Sequence, residues 1–552
     1  MDEKTIEEAI EYLHVFSRSL GASSRFIRLD DESAYCVLGA AAYMGRFEKM
    51  RCFDAQRVFA RLPGAGLKTE SDLRSWIAQY FSPVNARRWD STRKRAQEFL
   101  SAGIMVFVPV EPSSAPVAGP PLPQRDSPEC PGILFGKGCP PGRSPLLAVF
   151  NSRKPRLVSP DSKWLDVMRS FLHALDRRGI GLAGSTGTLT YDLASVFALR
   201  RGLLQLLVAP FPLLTAKRQL RRTFGDDADR IPVISCMLHA ASCPAKLSMR
   251  CRDRLLADLA DFHLILEIRS RGNLLAVLEQ IQSKSPRPQF VLKPETPRAA
   301  NAGNFTLLKD FAEHAIGFKS PRPREPVRIW SAAASNSPRP SGNLLRGLDR
   351  APRGNVSQCV SQGDYLFHYT RACGGPWPGE TYRQYLLGLL ETPSLRGRSA
   401  LDVLVRIARE GLLRAGCRMI RGGTPVVCWS SLPPHELFLI RKWRQGFARW
   451  TVEPYGVAVR RDVLRSLGAK PAVYGSEQVY SVLPDSEKYR FQVSSSGLSA
   501  AWRHEREWRI AEDLALGGIK PHQGFYFVQT TQEAEKLNGS AALGLPVVAM
   551  DE

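Results

Sequence analysis

Between residues 146 and 293 the chain repeats one pattern: a short, unbroken apolar run, then a stretch with helical spacing. The apolar runs are LLAVF at 146–150, GIGLAGS at 179–185, LLQLLVA at 203–209, PVISCML at 232–238, FHLILEI at 262–268 and QFVLK at 289–293. Helices are predicted near 163–177 and 190–201, in the stretch before 262, and again up to about 281. Strands that are apolar at every position, not at alternate ones, are buried on both faces, and intervening helices make their sheet parallel. The pattern predicts a doubly wound, Rossmann-like domain.

The flanks read differently. Residues 1–110 show helical periodicity (SAYCVLGAAAYMG, DAQRVFARL, DLRSWIAQYF), ending in a basic helix and a short strand, RRWDSTRKRAQEFLSAGIMVFVPV. This suits an adaptor or dimerisation module, or one with a helix-turn-helix-like part. Proline-rich stretches follow, and the tetrapeptide SPRP recurs at Ser285, Ser320 and Ser337. Beyond 360, helices such as ALDVLVRIAREGLL mix with short strands such as DYLFHYT and PVVCWS. The prediction is a multidomain α/β protein: a helical N-terminal module (1–111), a Pro-rich linker (112–144), the doubly wound parallel-sheet Rossmann-like domain (145–300), a basic Pro-rich linker (301–360) and an α+β C-terminal domain (361–552).

The net charge of +23 is unevenly placed, with +12 falling in residues 141–300 and +1 in residues 1–140. That placement points to a phosphate-bearing ligand, a nucleotide or single-stranded nucleic acid. No apolar run is long enough to span a bilayer, so no membrane partner is expected. The acidic opening MDEKTIEEAIEYL predicts no secretory signal, and an odd count of 11 cysteines argues against a disulfide framework, so a cytoplasmic setting fits. Cys236, His239, Cys243 and Cys251 have a spacing that could hold zinc, but Cys236 falls in an apolar strand, and the expectation is core packing with no metal.

In doubly wound folds ligands bind at the carboxyl ends of strands. Two loops there carry suitable chemistry. The run LLAVF ends in Asn151, Ser152, Arg153 and Lys154, while Gly184, Ser185, Thr186, Gly187 and Thr188 join a strand to a helix. Small residues would let a phosphate approach the backbone, and the hydroxyls would add donors. These loops, with RDRLLADLADFHLILEIRSRGN further on, resemble the DprA/Smf (SLOG-type) family. The resemblance implies that Arg252 and Arg254 match the family's paired arginines and Glu267 its strand-terminal acid, with Arg271, Gly272 and Asn273 in the place of its Ser-Gly loop. Asn151, Asp253 and Arg271 depart from the family's Gly, Asn and Ser.

In the last segment His368, Tyr369 and Thr370 end one strand, Trp429, Ser430 and Ser431 end another, and WRHEREWRI holds Glu505 and Glu507. This layout resembles abortive-infection (AbiGi-like) domains, which are weakly similar to ADP-ribosyltransferases. The resemblance implies NAD as cofactor, held by His368 and supported by Ser430, with Glu507 catalytic. On the residues alone, HYT is equally a structural strand and EREWRI a segment whose ions pair with each other.

The two resemblances imply an anti-phage defence protein, with a DprA-like sensor for a nucleotide or single-stranded DNA and a C-terminal effector. The alternative is a non-enzymatic, DprA-like single-stranded DNA-binding protein in DNA processing or uptake. A third reading makes the middle domain a nucleotide hydrolase, with Asp192 or Glu267 as general base. A homo-oligomer and operon-encoded protein partners remain open.

Overall fold

The computed structural model describes residues 26–44, 69–80, 85–109, 134–138, 140, 144–154, 158, 162–175, 179–238, 245–284, 287–293, 299–317, 329–331, 364–391, 397–417, 420–439, 443–444, 449–493, 505–540 and 544–550. The chain forms two compact units. The first comprises 1–156, 160–335 and 376–395, and the second 157–159, 336–375 and 396–552.

The first unit is built on one ten-stranded sheet. Its strands in chain order are β1 (Phe26–Arg28), β2 (Met105–Pro109), β3 (Leu134–Lys137), β4 (Leu146–Phe150), β5 (Gly181–Ser185), β6 (Gln205–Val208), β7 (Val233–Ser235), β8 (Phe262–Ile265), β9 (Gln289–Lys293) and β10 (Ile329–Ser331). Their order across the sheet is β1-β2-β3-β7-β6-β5-β4-β8-β9-β10. Strands β4 to β10 run parallel, as the unbroken apolar runs predict, and β4, β5, β6 and β8 are buried at every residue. Strands β1, β2 and β3 add an antiparallel meander that joins the edge of β7.

The stretches expected as separate modules and linkers thus contribute to this sheet. Strands β1 and β2 come from the N-terminal module, β3 lies within 112–144, and β10 lies within 301–360. Short strands beside prolines carry too few residues to show period-2 patterning, and only pairing reveals them. The sheet is flanked by α4 (Lys163–Leu175), α5 (Leu189–Arg201), α6 (Leu213–Phe224), α7 (Ala245–Leu259), α8 (Asn273–Lys284) and α9 (Ala302–Gly317). They follow α1 (Asp31–Tyr43), α2 (Glu70–Tyr80) and α3 (Ala86–Ser101), three helices that the N-terminal periodicity anticipates. Helix α10 (Tyr382–Glu391), which falls in the expected C-terminal domain, belongs to this unit. Its Arg383 pairs with Asp227 at 2.7 Å and donates to the Phe224 carbonyl at 3.2 Å.

The second unit is α+β. Its seven-stranded sheet contains β11 (Tyr365–Tyr369), β12 (Val426–Ser430), β13 (Gly456–Arg460), β14 (Lys470–Pro471), β15 (Glu507–Ala511), β16 (Gly524–Val528) and β17 (Val547–Ala549), in the order β14-β15-β12-β11-β13-β16-β17. All pairs are antiparallel except β16–β17. One face carries Leu366, Trp429 and Ile510, which share a core with Leu401 and Leu404 of α11 (Ala400–Glu410). A capping box between Ser399 and Asp402 starts that helix and Gly411, at φ 60°, ends it. Among the described residues no helix is long and apolar enough to cross a membrane.

Two buried polar side chains hold the middle of the parallel sheet. Asn304 of α9 is fully buried; its Oδ1 accepts from the Ile268 amide at 2.7 Å, and its Nδ2 donates to the carbonyls of Leu266 at 2.6 Å and Leu292 at 2.7 Å. It clasps the chain leaving β8 to the end of β9. His263, also fully buried, has Nε2 3.0 Å from the Ala257 carbonyl. Burial holds its imidazole down to about 3, against an ordinary 6.5.

Removing the Asn304 clasp leaves three buried backbone groups without partners. Asn304→Ala is expected to cost about 3 kcal/mol, read as a lower urea midpoint at unchanged slope. For His263 the unfolded ring binds a proton below pH 6.5, whereas the folded ring stays neutral to about 3. Stability present above pH 6.5 is therefore lost as pH falls through that window, by up to about 1.4 kcal/mol per pH unit. Urea midpoints at pH 7, 5 and 4 should diverge between wild type and His263→Gln, with the wild type falling faster.

Candidate nucleic-acid interface at the carboxyl edge of the parallel sheet

The strand order reverses at β4: β5, β6 and β7 are laid down on one side of it and β8 on the other. Such a switch point opens a crevice beyond the carboxyl ends of the two central strands. Here the β4–β8 ladder continues past both strands, since the Leu266 amide donates to Phe150 O at 2.9 Å and the Ser152 amide to Glu267 O at 2.9 Å. The loops 151–154 and 266–269 are therefore zipped together. Ser152 Oγ accepts from the Arg269 amide at 2.9 Å, and the Arg269 guanidinium donates to Arg153 O at 3.1 Å. Lys154 pairs with Glu267, which joins two expected site residues 113 positions apart.

The glycine-rich loop is fitted tightly. A side chain at Gly184 would meet Ser195 Oγ at 2.5 Å, so only glycine lets α5 close on β5 there. Ser185 is fully buried, and its hydroxyl donates to Val208 O at 2.6 Å. Thr188 caps α5, its side chain accepting from the Tyr191 amide at 3.4 Å. Gly187 takes φ 96°.

The loop's amide donor is not open to a ligand anion. Gly187 N–H donates to Asp192 Oδ1 at 3.1 Å, the Thr186 hydroxyl donates to the same oxygen at 2.5 Å, and the Tyr382 hydroxyl of α10 donates to Oδ2 at 2.9 Å. Burial raises the Asp192 pKa, and these three donors oppose the rise. A side-chain carboxylate thus lies where the sequence led us to expect a phosphate.

The paired arginines are likewise engaged. Arg252 is 4% exposed, bonds Asp253 Oδ1 through Nε at 2.9 Å and Nη2 at 2.7 Å, and lies over the Tyr191 ring at 4.6 Å. Its Nη1 also reaches Thr186 O at 3.3 Å, and the Tyr191 hydroxyl donates to Asp253 at 3.0 Å. Arg254 is 8% exposed and pairs with Asp258 at 2.9 Å. Arg252 therefore braces α7 against the loop and Arg254 pairs within α7, and neither is presented at the surface as the sequence reading expected. Among the described residues the exposed cations at this edge are Arg153, Arg269 and Arg271. Arg269 escaped the sequence analysis because only the β4–β8 pairing sets it beside Arg153.

Cys236 is buried in the main core and Cys251 packs against it, while His239 and Cys243 lie outside the described residues.

In the second unit, register separates the expected triad. Phe367 pairs with Ser430 and Ser430 with Glu507, so these three share one sheet face. Successive strand residues alternate, which places His368 on the opposite face, where its ring meets Trp429 edge-on at 5.7 Å. Its Nδ1 lies 2.9 Å from Cys428 O. Ser430 Oγ donates to Glu505 O at 2.5 Å and accepts from the Leu432 amide at 3.0 Å. Glu507 accepts from Arg509 Nε and Nη2, both at 3.0 Å. Arg509, 1% exposed, also donates to the carbonyls of Tyr489 at 2.9 Å and Phe491 at 2.8 Å and to the side chain of Gln492 at 2.7 Å. The structure does not bring His368 together with Ser430 and Glu507.

Removing the Glu507 carboxylate would strand a buried guanidinium. Glu507→Ala is expected to destabilise the second unit by about 3–5 kcal/mol in urea denaturation, so that any loss of function tracks loss of folded protein.

No family model and no curated protein matches the chain. Among solved structures it is similar to DNA processing protein A (DprA) from Streptococcus pneumoniae, at 16% identity over 51% of this chain and 94% of that one, with a TM-score of 0.33. It is also similar to DNA processing protein A from Helicobacter pylori, a structure that describes a single-stranded DNA binding mode. That match has 18% identity over 32% of this chain and 79% of that one, with a TM-score of 0.26.

Proposed function

We propose that the first unit binds single-stranded nucleic acid along the carboxyl edge of its parallel sheet, as a DprA-like, non-enzymatic DNA-processing protein would. The observation that carries this reading is the rim formed by Arg153, Arg269 and Arg271. All three are exposed, on loops that the β4–β8 pairing holds side by side. Arginine forks on fixed loops suit a chain of phosphates that passes along an edge, and the +12 charge of residues 141–300 supplies the long-range attraction.

The sensor–effector reading rests on a catalytic second unit. Its expected residues lie on two faces of the sheet, and Glu507 is bonded through both oxygens to Arg509, so the NAD-dependent chemistry is not part of the proposal. A hydrolase reading also loses its bases, because Asp192 accepts three hydrogen bonds and Glu267 pairs with Lys154.

Binding of a fluorescent dT20 strand, followed by anisotropy from 50 to 300 mM salt, tests the reading. Each phosphate contact contributes about 0.7 to the log–log salt slope of a single strand. Replacing Arg153, Arg269 and Arg271 by Gln should lower the slope by about 2 and weaken binding at every salt concentration. A slope unchanged in that triple variant, with the fold intact, would move the interface elsewhere.

A further inference from the structure

We infer that the carboxyl ends of β4 and β5 hold a subsite for the edge of a nucleobase, read by the carboxamide of Asn151, and that this subsite excludes phosphate. The inference rests on the single-strand reading for the source of the base, but its test does not.

Asn151 follows β4 directly and is 3% exposed, yet neither its Nδ2 nor its Oδ1 has a hydrogen-bond partner among the described residues. Its side chain is not needed to hold the loop. The backbone on either side is already fixed by the Leu266–Phe150 and Ser152–Glu267 hydrogen bonds, and the Ser152 hydroxyl accepts from Arg269. Thr190, in the first turn of the helix that starts at these strand ends, is 2% exposed, and its hydroxyl also lacks a partner among the described residues. A buried amide with both atoms unpaired is costly, and a ligand that offers a donor beside an acceptor relieves that cost.

The charge of the surroundings selects the ligand. The Asp192 carboxylate already takes the Gly187 amide at the start of α5, so a phosphate there would meet a like charge and a spent donor. The exposed arginines lie on the loops outside, at 153, 269 and 271. The backbone phosphates of a strand would run along that rim while an uncharged base turns inward. Adenine is the best match, because its N6–H donor and N7 acceptor pair bidentately with a carboxamide.

Calorimetric titration of the full chain with adenosine tests the subsite without any phosphate. Adenosine should bind, inosine (which carries an oxygen in place of the N6 amine) at least about tenfold more weakly, and AMP no more tightly than adenosine. Asn151→Ala should weaken adenosine at least tenfold while the dT20 salt slope stays unchanged and the thermal midpoint stays level or rises. Gln205 supplies the control: it is also a buried amide without a partner among the described residues, but it sits at the amino end of β6. Gln205→Ala should bind adenosine as the wild type does. The inference is overturned if adenosine does not bind, if Asn151→Ala binds it undiminished, or if AMP binds tightly through phosphate. Loss of dT20 binding with adenosine binding intact would overturn the strand reading and leave the subsite standing.

Discussion

The arrangement of the first unit follows from one pairing, that of β4 with β8. The chain first builds outward from one edge of β4, then returns to fill the other. Asp261 anchors the return, its Oδ2 accepting from the Leu146 amide at 2.8 Å at the start of β4. The ladder then runs past the ends of both strands, and Asn304 secures the exit of β8 from its other side. Each hydrogen bond contributes about 1 kcal/mol net, but together they fix two loops that would otherwise be independent. Ser152, Arg153, Lys154, Glu267 and Arg269 form one surface because of this zipper.

The surplus charge of the segment is sorted by depth. Inside, Arg252 with Asp253, Arg254 with Asp258 and Lys154 with Glu267 are matched pairs. Buried pairs of this kind fix geometry more than they add stability, since desolvation offsets much of their attraction. Asp192 extends the same logic to the start of α5, where it satisfies the loop amide internally and ties α10 to the loop through Tyr382. The cations left for a polyanion are those on the outermost loop positions. A residue list that counts every arginine as a ligand overstates the site, and one restricted to exposed arginines locates it.

How far the sequence could be read depends on the range of each interaction. The parallel core was legible because burial on both faces leaves a mark within five or six residues. The glycine-rich turn from strand to helix at 184–188 was legible for the same reason, although Gly184 and Thr188 serve packing and capping there. The order of strands was not, because apolar runs do not name their neighbours. Arg252 and Asp253 are adjacent in sequence, yet no local rule says that they pair with each other and not with a ligand. Tyr382 reaches Asp192 across 190 residues, beyond any pattern. In the second unit the alternation along each strand was visible, but the register between strands was not, and register alone separates His368 from Ser430 and Glu507.

The second unit shows why a motif of charged and aromatic residues is weak evidence for catalysis. In EREWRI, period-2 alternation turns Glu507 and Arg509 to one face, where the arginine is buried and gathers two carbonyls, an amide side chain and the carboxylate. One guanidinium thereby joins β15 to the chain around Tyr489–Gln492, a link that needs Glu507 as its counter-ion. Arg506, between the two glutamates, adopts φ 46°, and its carbonyl accepts from the Ser431 amide at 3.2 Å, so the turn into β15 is held by β12. A sequence that must place an acid, a base and an aromatic in one strand to close a sheet will resemble an active site whether or not it has one. The discriminating feature is whether the polar atoms are satisfied. In the second unit Ser430, Glu507 and Arg509 are satisfied, whereas at the carboxyl ends of β4 and β5 Asn151 and Thr190 have no partners among the described residues. By that measure Ser430 and Glu507 serve the sheet itself, whereas Asn151 and Thr190 keep hydrogen-bonding capacity that the described residues do not use.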